Sequence, residues 1–181
     1  MMQEGASGEA VHVVILGIEE VVGLVPLLRA YLPATYGAEW MGSPDSLRRD
    51  LAAGRFRACA AVAGGKMVGF MGWTPSYDLH NCVWGGEGLD LYVEPGWRGR
   101  GTAVLLLCAA CREIEVGGGA YLKGTAVGNG TGGRLYARVA VCHPDGCIIS
   151  GRAFRRMAEL AGRPVRELAR LLPDRAWNFE G

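Results

Sequence analysis

The stretch LYVEPGWRGRGTAVLLLCAAC, residues 91–111, decides the fold of this chain. Its β-branched and aromatic start indicates the end of a strand, and its glycine-rich middle indicates a tight turn. The apolar run that follows predicts a helix from Thr102 to about Val116, which the three glycines at 117–119 end. The order is therefore strand, glycine loop and helix.

The glycine loop has the features of an anion-binding site. Gly99 and Gly101 let the backbone approach a ligand closely, and the helix start adds unpaired N–H groups and its positive dipole end. Arg98 and Arg100 supply guanidinium donors, which favour a pyrophosphate-bearing ligand over a lone carboxylate. A purely structural turn also uses glycine, so the loop alone leaves both interpretations open. Neither Gly-Lys-Ser/Thr nor G-x-G-x-x-G occurs here, which disfavours nucleoside triphosphates and NAD.

The patterns on either side of this unit describe a mixed α/β chain. Before it, strand patterns occupy 11–18, 56–64, 66–75 and 81–95, and helix patterns occupy 19–32 and 43–53. After it come a strand at 120–127, a short helix at 133–140, a hairpin at 141–150 and two amphipathic helices at 151–162 and 163–173. We expect one domain, with a core at 1–150 and a C-terminal helical extension, 151–181, packed on it.

Composition and charge narrow the function classes. The chain has 181 residues, half of them apolar, which suits one α/β domain. Its net charge of +1 does not point to nucleic acid or an anionic membrane as a partner. Residues 151–181 are locally basic, with seven arginines against four acids. The longest apolar stretch, Ala103–Cys111, has nine residues, short of the roughly 20 that span a bilayer. The start MMQEGASGEA does not resemble a secretory signal, so we predict a cytoplasmic protein with no membrane partner.

The cysteines are expected to be reduced and structural. The six stand at 59, 82, 108, 111, 142 and 147, mostly inside apolar runs where free cysteine behaves as a small hydrophobe. Cys108 and Cys111 with Cys142, His143 and Cys147 spell a zinc-like set, but the first pair falls inside the predicted helix. We therefore predict no metal.

Two motifs in order resemble the GNAT acetyltransferase superfamily. Its signature is a strand, often Val-x-Pro, and a loop Arg/Gln-x-x-Gly-x-Gly/Ala, which this chain supplies from Val93 through Arg98 to Ala103. A second family element places Leu-Tyr seven residues beyond an asparagine, as do Asn129 and Tyr136 here. The resemblance covers residues 11 to about 150.

The resemblance implies the fold, the cofactor and the partner. The fold would be an α/β (α+β) GNAT fold, with a mixed, mostly antiparallel sheet of six or seven strands flanked by helices. Acetyl-CoA would be the co-substrate, and the acceptor would be an amine on a small molecule, a protein or a peptide. By resemblance, the cofactor contacts would come from Leu91, Tyr92, Val93, Arg98, Gly99, Arg100, Gly101, Thr102, Ala103 and Asn129.

The resemblance also implies catalytic roles. Tyr136 matches the general acid, because a phenol stays protonated at neutral pH and can donate to sulfur; packing beside Leu135 is the structural alternative. Glu87, eleven residues before Arg98, matches the glutamate that accepts the amine proton in histone-acetylating members. A solvent-facing carboxylate at a strand edge is the alternative. Asp90 is a second candidate base, on the same face only if a bulge shifts the alternation.

Two further functions remain open. The segment AELAGRPVRELARLL, residues 158–172, resembles a helix-turn-helix and suggests a nucleic-acid-binding module. Basic helices of this kind more often pack on the core, expose arginine to water or form a homodimer contact. A non-catalytic acyl-CoA-binding protein is the other alternative. The family varies its acceptor contacts in the segments that correspond to Tyr31–Asp50 and Cys142–Gly151, and neither segment identifies the acceptor.

Overall fold

A seven-stranded mixed sheet organises the protein. The computed structural model describes residues 10–125, 131–144 and 146–174. The strands run in the order β1-β2-β3-β4-β5-β7-β6, and every neighbouring pair is antiparallel except β4 and β5. Their bounds are β1 His12–Ile15, β2 Arg57–Ala63, β3 Lys66–Asp78, β4 Val83–Val93, β5 Tyr121–Gly124, β6 Val141–His143 and β7 Gly146–Ser150. The predicted fold class is confirmed.

Helices cover both faces of the sheet. They are α1 Val25–Tyr36, α2 Pro44–Ala52, α3 Thr102–Val116, α4 Thr131–Val139, α5 Gly151–Glu159 and α6 Val165–Leu171. One apolar cluster joins α1 and α2 to one face, through side chains such as Phe70 and Tyr92. A larger cluster joins α3, α5 and α6 to the other face, through side chains such as Met71 and Trp73. The sheet therefore separates two apolar cores, one on each of its faces.

Local sequence signals set several element ends. Ser43 caps α2, because its side chain accepts a hydrogen bond from the Ser46 N–H at 3.1 Å. The predicted hairpin between β2 and β3 turns at Gly64 and Gly65, with φ of 53° and 75°. Two consecutive positive φ values suit a tight two-residue turn and favour glycine at both positions.

The cysteine prediction is right for one set of residues and wrong for another. Cys59, Cys108 and Cys111 are free and buried, and burial raises the pKa of the first two thiols to about 12. They act as small apolar groups, as expected. Cys142 and Cys147, however, form a disulfide. The physical reason is the hairpin: they stand directly opposite each other on β6 and β7, with Cα atoms 4.1 Å apart.

The C-terminal helices belong to the larger core. Phe154 and Met157 of α5 are fully buried against α3, and Leu168 of α6 is also buried. The Arg138 guanidinium of α4 donates to the Ala169 carbonyl of α6 at 2.8 Å. No helix in the described part of the chain combines the length and apolarity that a bilayer crossing needs.

Truncating Phe154 tests this packing. We expect Phe154→Ala to lower the free energy of unfolding by about 3–5 kcal/mol, because it leaves a cavity between α5 and α3. Arg155→Ala, an exposed neighbour on the same helix, should change it by about 0.5 kcal/mol or less. Denaturant unfolding of the whole chain measures both values. An unchanged midpoint for Phe154→Ala would show that α5 is not part of the cooperative core.

Candidate active site

A cleft opens where β4 and β5 part. Among the described residues these two parallel strands pair only at Gly86–Leu122 and Glu87–Lys123. Beyond Glu87, β4 continues to Val93 with β3 as its partner on the other edge. The edge of β4 that faces β5 is therefore open, and a cleft of ≈ 340 Å³ lies along it.

The open edge of β4 presents backbone N–H groups to the cleft. The Glu94 N–H donates to the Val68 carbonyl of β3 at 2.9 Å, which fixes the direction of that N–H. Backbone groups alternate in direction along a strand, so Leu91 and Val93 turn their N–H groups away from β3, toward the cleft. The Val93 carbonyl points the same way and accepts from Arg98 Nε at 2.8 Å.

The glycine loop presents more donors at one end of the cleft. Gly99 and Gly101 have φ of 71° and 81°, and Gly101 is the N-cap of α3. The Thr102 hydroxyl donates to the Trp97 carbonyl at 3.1 Å and holds the loop against the helix start. The first N–H groups of an α-helix have no acceptor within the helix, so those of residues 102–104 are available to a ligand. The first turn of α3 contains no acidic residue.

Two arginines add positive charge beside these donors. The Cζ atom of Arg98 lies 5.7 Å from the centroid of the Tyr92 ring, and that of Arg100 lies 5.2 Å from the centroid of the Trp97 ring. Contacts of a guanidinium with an aromatic face are attractive and restrict the side chain. Both arginines remain exposed, so their N–H groups can reach an anion at the loop.

An apolar groove continues from the loop along α3 and α4. Its volume is ≈ 290 Å³, and its apolar walls include Leu91, Val93, Val104 and Leu135. The described residues that line it include no carboxylate. A ligand with an anionic end and a slender uncharged arm fits this combination of groove and loop.

Tyr136 of α4 lines the cleft together with Leu91 and Val93. Burial raises the pKa of its phenol, and the nearby Cys111 adds to the shift. The hydroxyl therefore stays protonated at neutral pH and can donate a hydrogen bond or a proton. The role of Tyr136 as a general acid stays a prediction.

The family comparison agrees with this geometry. A model described as "Acetyltransferase (GNAT) family" matches residues 21–140. The chain belongs to the GNAT acetyltransferase family. No curated protein matches the chain significantly.

Solved structures share this GNAT fold. A ribosomal-protein-alanine N-acetyltransferase from Brucella melitensis biovar Abortus 2308 has a TM-score of 0.63 at 22% identity, over 75% of this chain and 94% of that one. An aminoglycoside acetyltransferase, meta-AAC0020, from an uncultured soil metagenomic sample in complex with sisomicin has a TM-score of 0.57 at 17% identity, over 65% and 78%. The PaiA N-acetyltransferase of Thermoplasma acidophilum in complex with coenzyme A has a TM-score of 0.53 at 16% identity, over 77% and 96%. At these identities the similarity supports the fold alone.

The two candidate carboxylates of this GNAT protein occupy different surroundings. Gly72 and Trp73 of β3 pair with Asp90 and Gly88, so Leu89 is an extra residue in β4. This β-bulge brings Asp90 to the same face as Glu87, as the sequence argument required. Asp90 lines the main cleft. The Glu87 carboxylate lies 3.2 Å from Lys123 Nζ and lines a neighbouring groove of ≈ 480 Å³.

The sequence missed the individual side chains of α1 that line the cleft. Tyr31 donates to Asp90 Oδ1 at 2.7 Å, and Tyr36 stands beside it at the rim. The helical pattern at 19–32 contained Tyr31 but stopped short of Tyr36, which α1 includes, and no local signal connects that helix to β4. The contact joins residues 59 positions apart and appears only once α1 packs on the sheet.

Two of the predicted cofactor contacts, Tyr92 and Asn129, have no backbone group that the structure places toward the cleft. The backbone of Tyr92 faces β3, by the same alternation that turns Leu91 toward the cleft, and its ring is buried below Tyr31. Asn129 lies outside the described residues.

Proposed function

We propose that this GNAT protein transfers the acetyl group of acetyl-CoA to an amine by direct attack of the amine nitrogen. The observation that carries the proposal is the main cleft, which lies where β4 and β5 part. Leu91 and Val93, whose N–H groups turn away from β3, line it together with Tyr136 and Asp90. The N-acetyltransferases among the solved structures of this fold support an amine as the acceptor.

The chain's own residues fit coenzyme A. The N–H groups at the start of α3 and the guanidinium groups of Arg98 and Arg100 would hold the diphosphate, because all of them donate and none accepts. The apolar groove beside Leu135 would hold the pantetheine arm. When bound, acetyl-CoA supplies an activated thioester carbonyl.

The residues along the cleft would then divide the work of acyl transfer. The N–H group of Leu91 would stabilise the negative charge that develops on the carbonyl oxygen. Tyr136 would hold a proton at Oη for the departing sulfur while the N–C bond forms and the C–S bond breaks. Its raised pKa keeps that proton in place at neutral pH.

A carboxylate of β4 would take the proton that the amine must lose before attack. Asp90 is our first choice, because it lines the same cleft as Tyr136. Glu87, which the sequence favoured, remains the second candidate. Glu87 is already paired with Lys123, so a basic side chain stands beside the carboxylate that an incoming cation would need. Glu87 also lines the neighbouring groove.

Helices α5 and α6 pack on the core, which is one of the alternatives to nucleic-acid binding that the sequence left open. Val165 of α6 faces Gly101 of the loop, and Leu168 is buried in the core. The apolar side of α6 therefore packs within the domain. A cytoplasmic location and a homodimer contact stay predictions.

Calorimetry with acetyl-CoA tests the proposed function. We expect one molecule to bind per chain, and Arg98→Ala with Arg100→Ala to weaken binding about tenfold or more through lost charge-assisted hydrogen bonds. Arg112→Ala is the matched control, since Arg112 lies at the far end of α3 and pairs with Glu115. Release of free thiol with a panel of amines then measures turnover. Tight binding without turnover on any amine would favour the non-catalytic alternative, and absence of binding would remove the proposal.

A further inference from the structure

Three side chains form a hydrogen-bonded array on the α1 side of the cleft. The Tyr31 Oη atom lies 2.7 Å from Asp90 Oδ1 and 3.1 Å from Tyr36 Oη. The Tyr31 ring is buried and meets the Tyr36 ring edge-on, with centroids 5.7 Å apart. The array is therefore held by packing as well as by hydrogen bonds.

The two hydroxyl hydrogens of this array are both donated to other members of the array. Each phenol has one hydrogen, and a carboxylate only accepts. The Tyr31 hydroxyl therefore donates its hydrogen bond to Asp90, and the Tyr36 hydroxyl donates its hydrogen bond to the Tyr31 oxygen. Burial, with Tyr36 and Asp90 beside it, raises the pKa of Tyr31 and keeps that hydrogen in place. Asp90 Oδ2 and the Tyr36 oxygen retain lone pairs. Together they present acceptors, without a phenolic donor, to whatever enters.

The charge of Asp90 is also without a cationic partner in the described part of the chain. Glu87, on the same face of β4, has Lys123 at 3.2 Å, whereas no basic side chain of the described residues forms an ion pair with Asp90. Arg98 is the one basic side chain among the described residues that line the cleft, and its Nε is bound to the Val93 carbonyl. A cation from outside would complete the site.

Resting on the proposed acetyl transfer, we infer that the acceptor enters as a primary ammonium group whose carbon bears no carboxylate. Its N–H groups would donate to Asp90 Oδ2 and to the Tyr36 oxygen. This position is one residue from the Leu91 N–H, which would hold the carbonyl oxygen, so the bound nitrogen is the reacting one. A carboxylate on the same carbon would lie within about 6 Å of Asp90, where like charges repel. Amines are therefore the preferred acceptors, and this repulsion disfavours the corresponding α-amino acids.

Matched pairs of acceptors test this inference on the full chain. The pairs are 2-phenylethylamine with phenylalanine and tyramine with tyrosine, which differ only in the carboxylate. We expect each amine to exceed its amino acid in kcat/KM by about tenfold or more. In a second readout that needs no turnover, calorimetry of each acceptor into the CoA-saturated protein should show the same order.

Asp90→Asn identifies the group responsible. We expect it to bring the amine to amino acid affinity ratio close to one while acetyl-CoA affinity stays within about twofold of the wild type. Tyr36→Phe should weaken the amine severalfold and keep the ratio. Tyr77→Phe, an exposed tyrosine on β3, is its control.

The outcomes separate the two proposals. Equal use of amines and amino acids by the wild type, or an unchanged ratio in Asp90→Asn, would overturn the inference and leave acetyl transfer intact. Because the wild-type pairs already decide the preference, a variant that fails to fold does not block the test. Absence of acetyl-CoA binding would instead remove the proposed function, and the inference with it.

Discussion

Tyr136→Phe is expected to lower kcat about 100-fold or more while acetyl-CoA affinity stays unchanged. Phenylalanine keeps the ring in its place against the core, and it removes only the hydroxyl that would protonate sulfur. The change therefore acts on the chemical step and spares the groove that holds the cofactor. Steady-state kinetics and calorimetry with acetyl-CoA measure the two quantities separately.

The pH profile adds a second test of the same residue. A general acid must be protonated, so its contribution is present at low pH and is lost as pH rises through its pKa. Burial raises the pKa of Tyr136, so that loss should come at a higher pH than for a free phenol. Tyr136→Phe should lack this alkaline limb.

Tyr121→Phe is the matched control for the loss of a phenol. Tyr121 of β5 is buried, and its hydroxyl hydrogen-bonds the Ser76 hydroxyl at 3.2 Å, away from the cleft-lining residues. We expect its kcat to remain near the wild-type value. If both substitutions reduce kcat equally, Tyr136 acts through stability and not through proton transfer.

Local sequence rules account for the frame of the site. The glycine loop, the start of α3 at Thr102 and its end before Gly117 follow from turn residues and apolar periodicity, which act over a few positions. The hairpin at Gly64 and Gly65 follows from the same kind of rule. Such signals are read correctly from one sequence because no distant contact is needed to satisfy them.

The interior of the cleft depends on contacts that no local rule contains. The extra residue at Leu89 decides which face Asp90 occupies, and it is set by the register between β3 and β4. The pairing of Tyr31 with Asp90 depends on how α1 packs on the sheet. The disulfide between Cys142 and Cys147 depends on the hairpin register, whereas composition alone favoured reduced thiols.

Gly101→Ala should weaken acetyl-CoA binding about tenfold or more and lower the free energy of unfolding by roughly 2–4 kcal/mol. Gly101 has φ of 81°, and a Cβ there would lie 2.5 Å from Val165 Cγ1 of α6. Valine is stiff about χ1, so either the loop or α6 must move. Moving the loop displaces the N–H groups that would hold the diphosphate. Calorimetry and denaturant unfolding measure the two effects.

Two further variants separate backbone strain from this clash. Gly118 has φ of 83° and open space where a Cβ would stand, beyond the far end of α3, so Gly118→Ala carries the strain without the clash. We expect it to lose about 1–2 kcal/mol of stability and to keep acetyl-CoA affinity. Val165→Ala combined with Gly101→Ala removes the clashing Cγ1 atom and should recover part of the lost affinity. If Gly101→Ala alone binds acetyl-CoA as the wild type does, the expected displacement of the loop is wrong, and α6 has moved in its place.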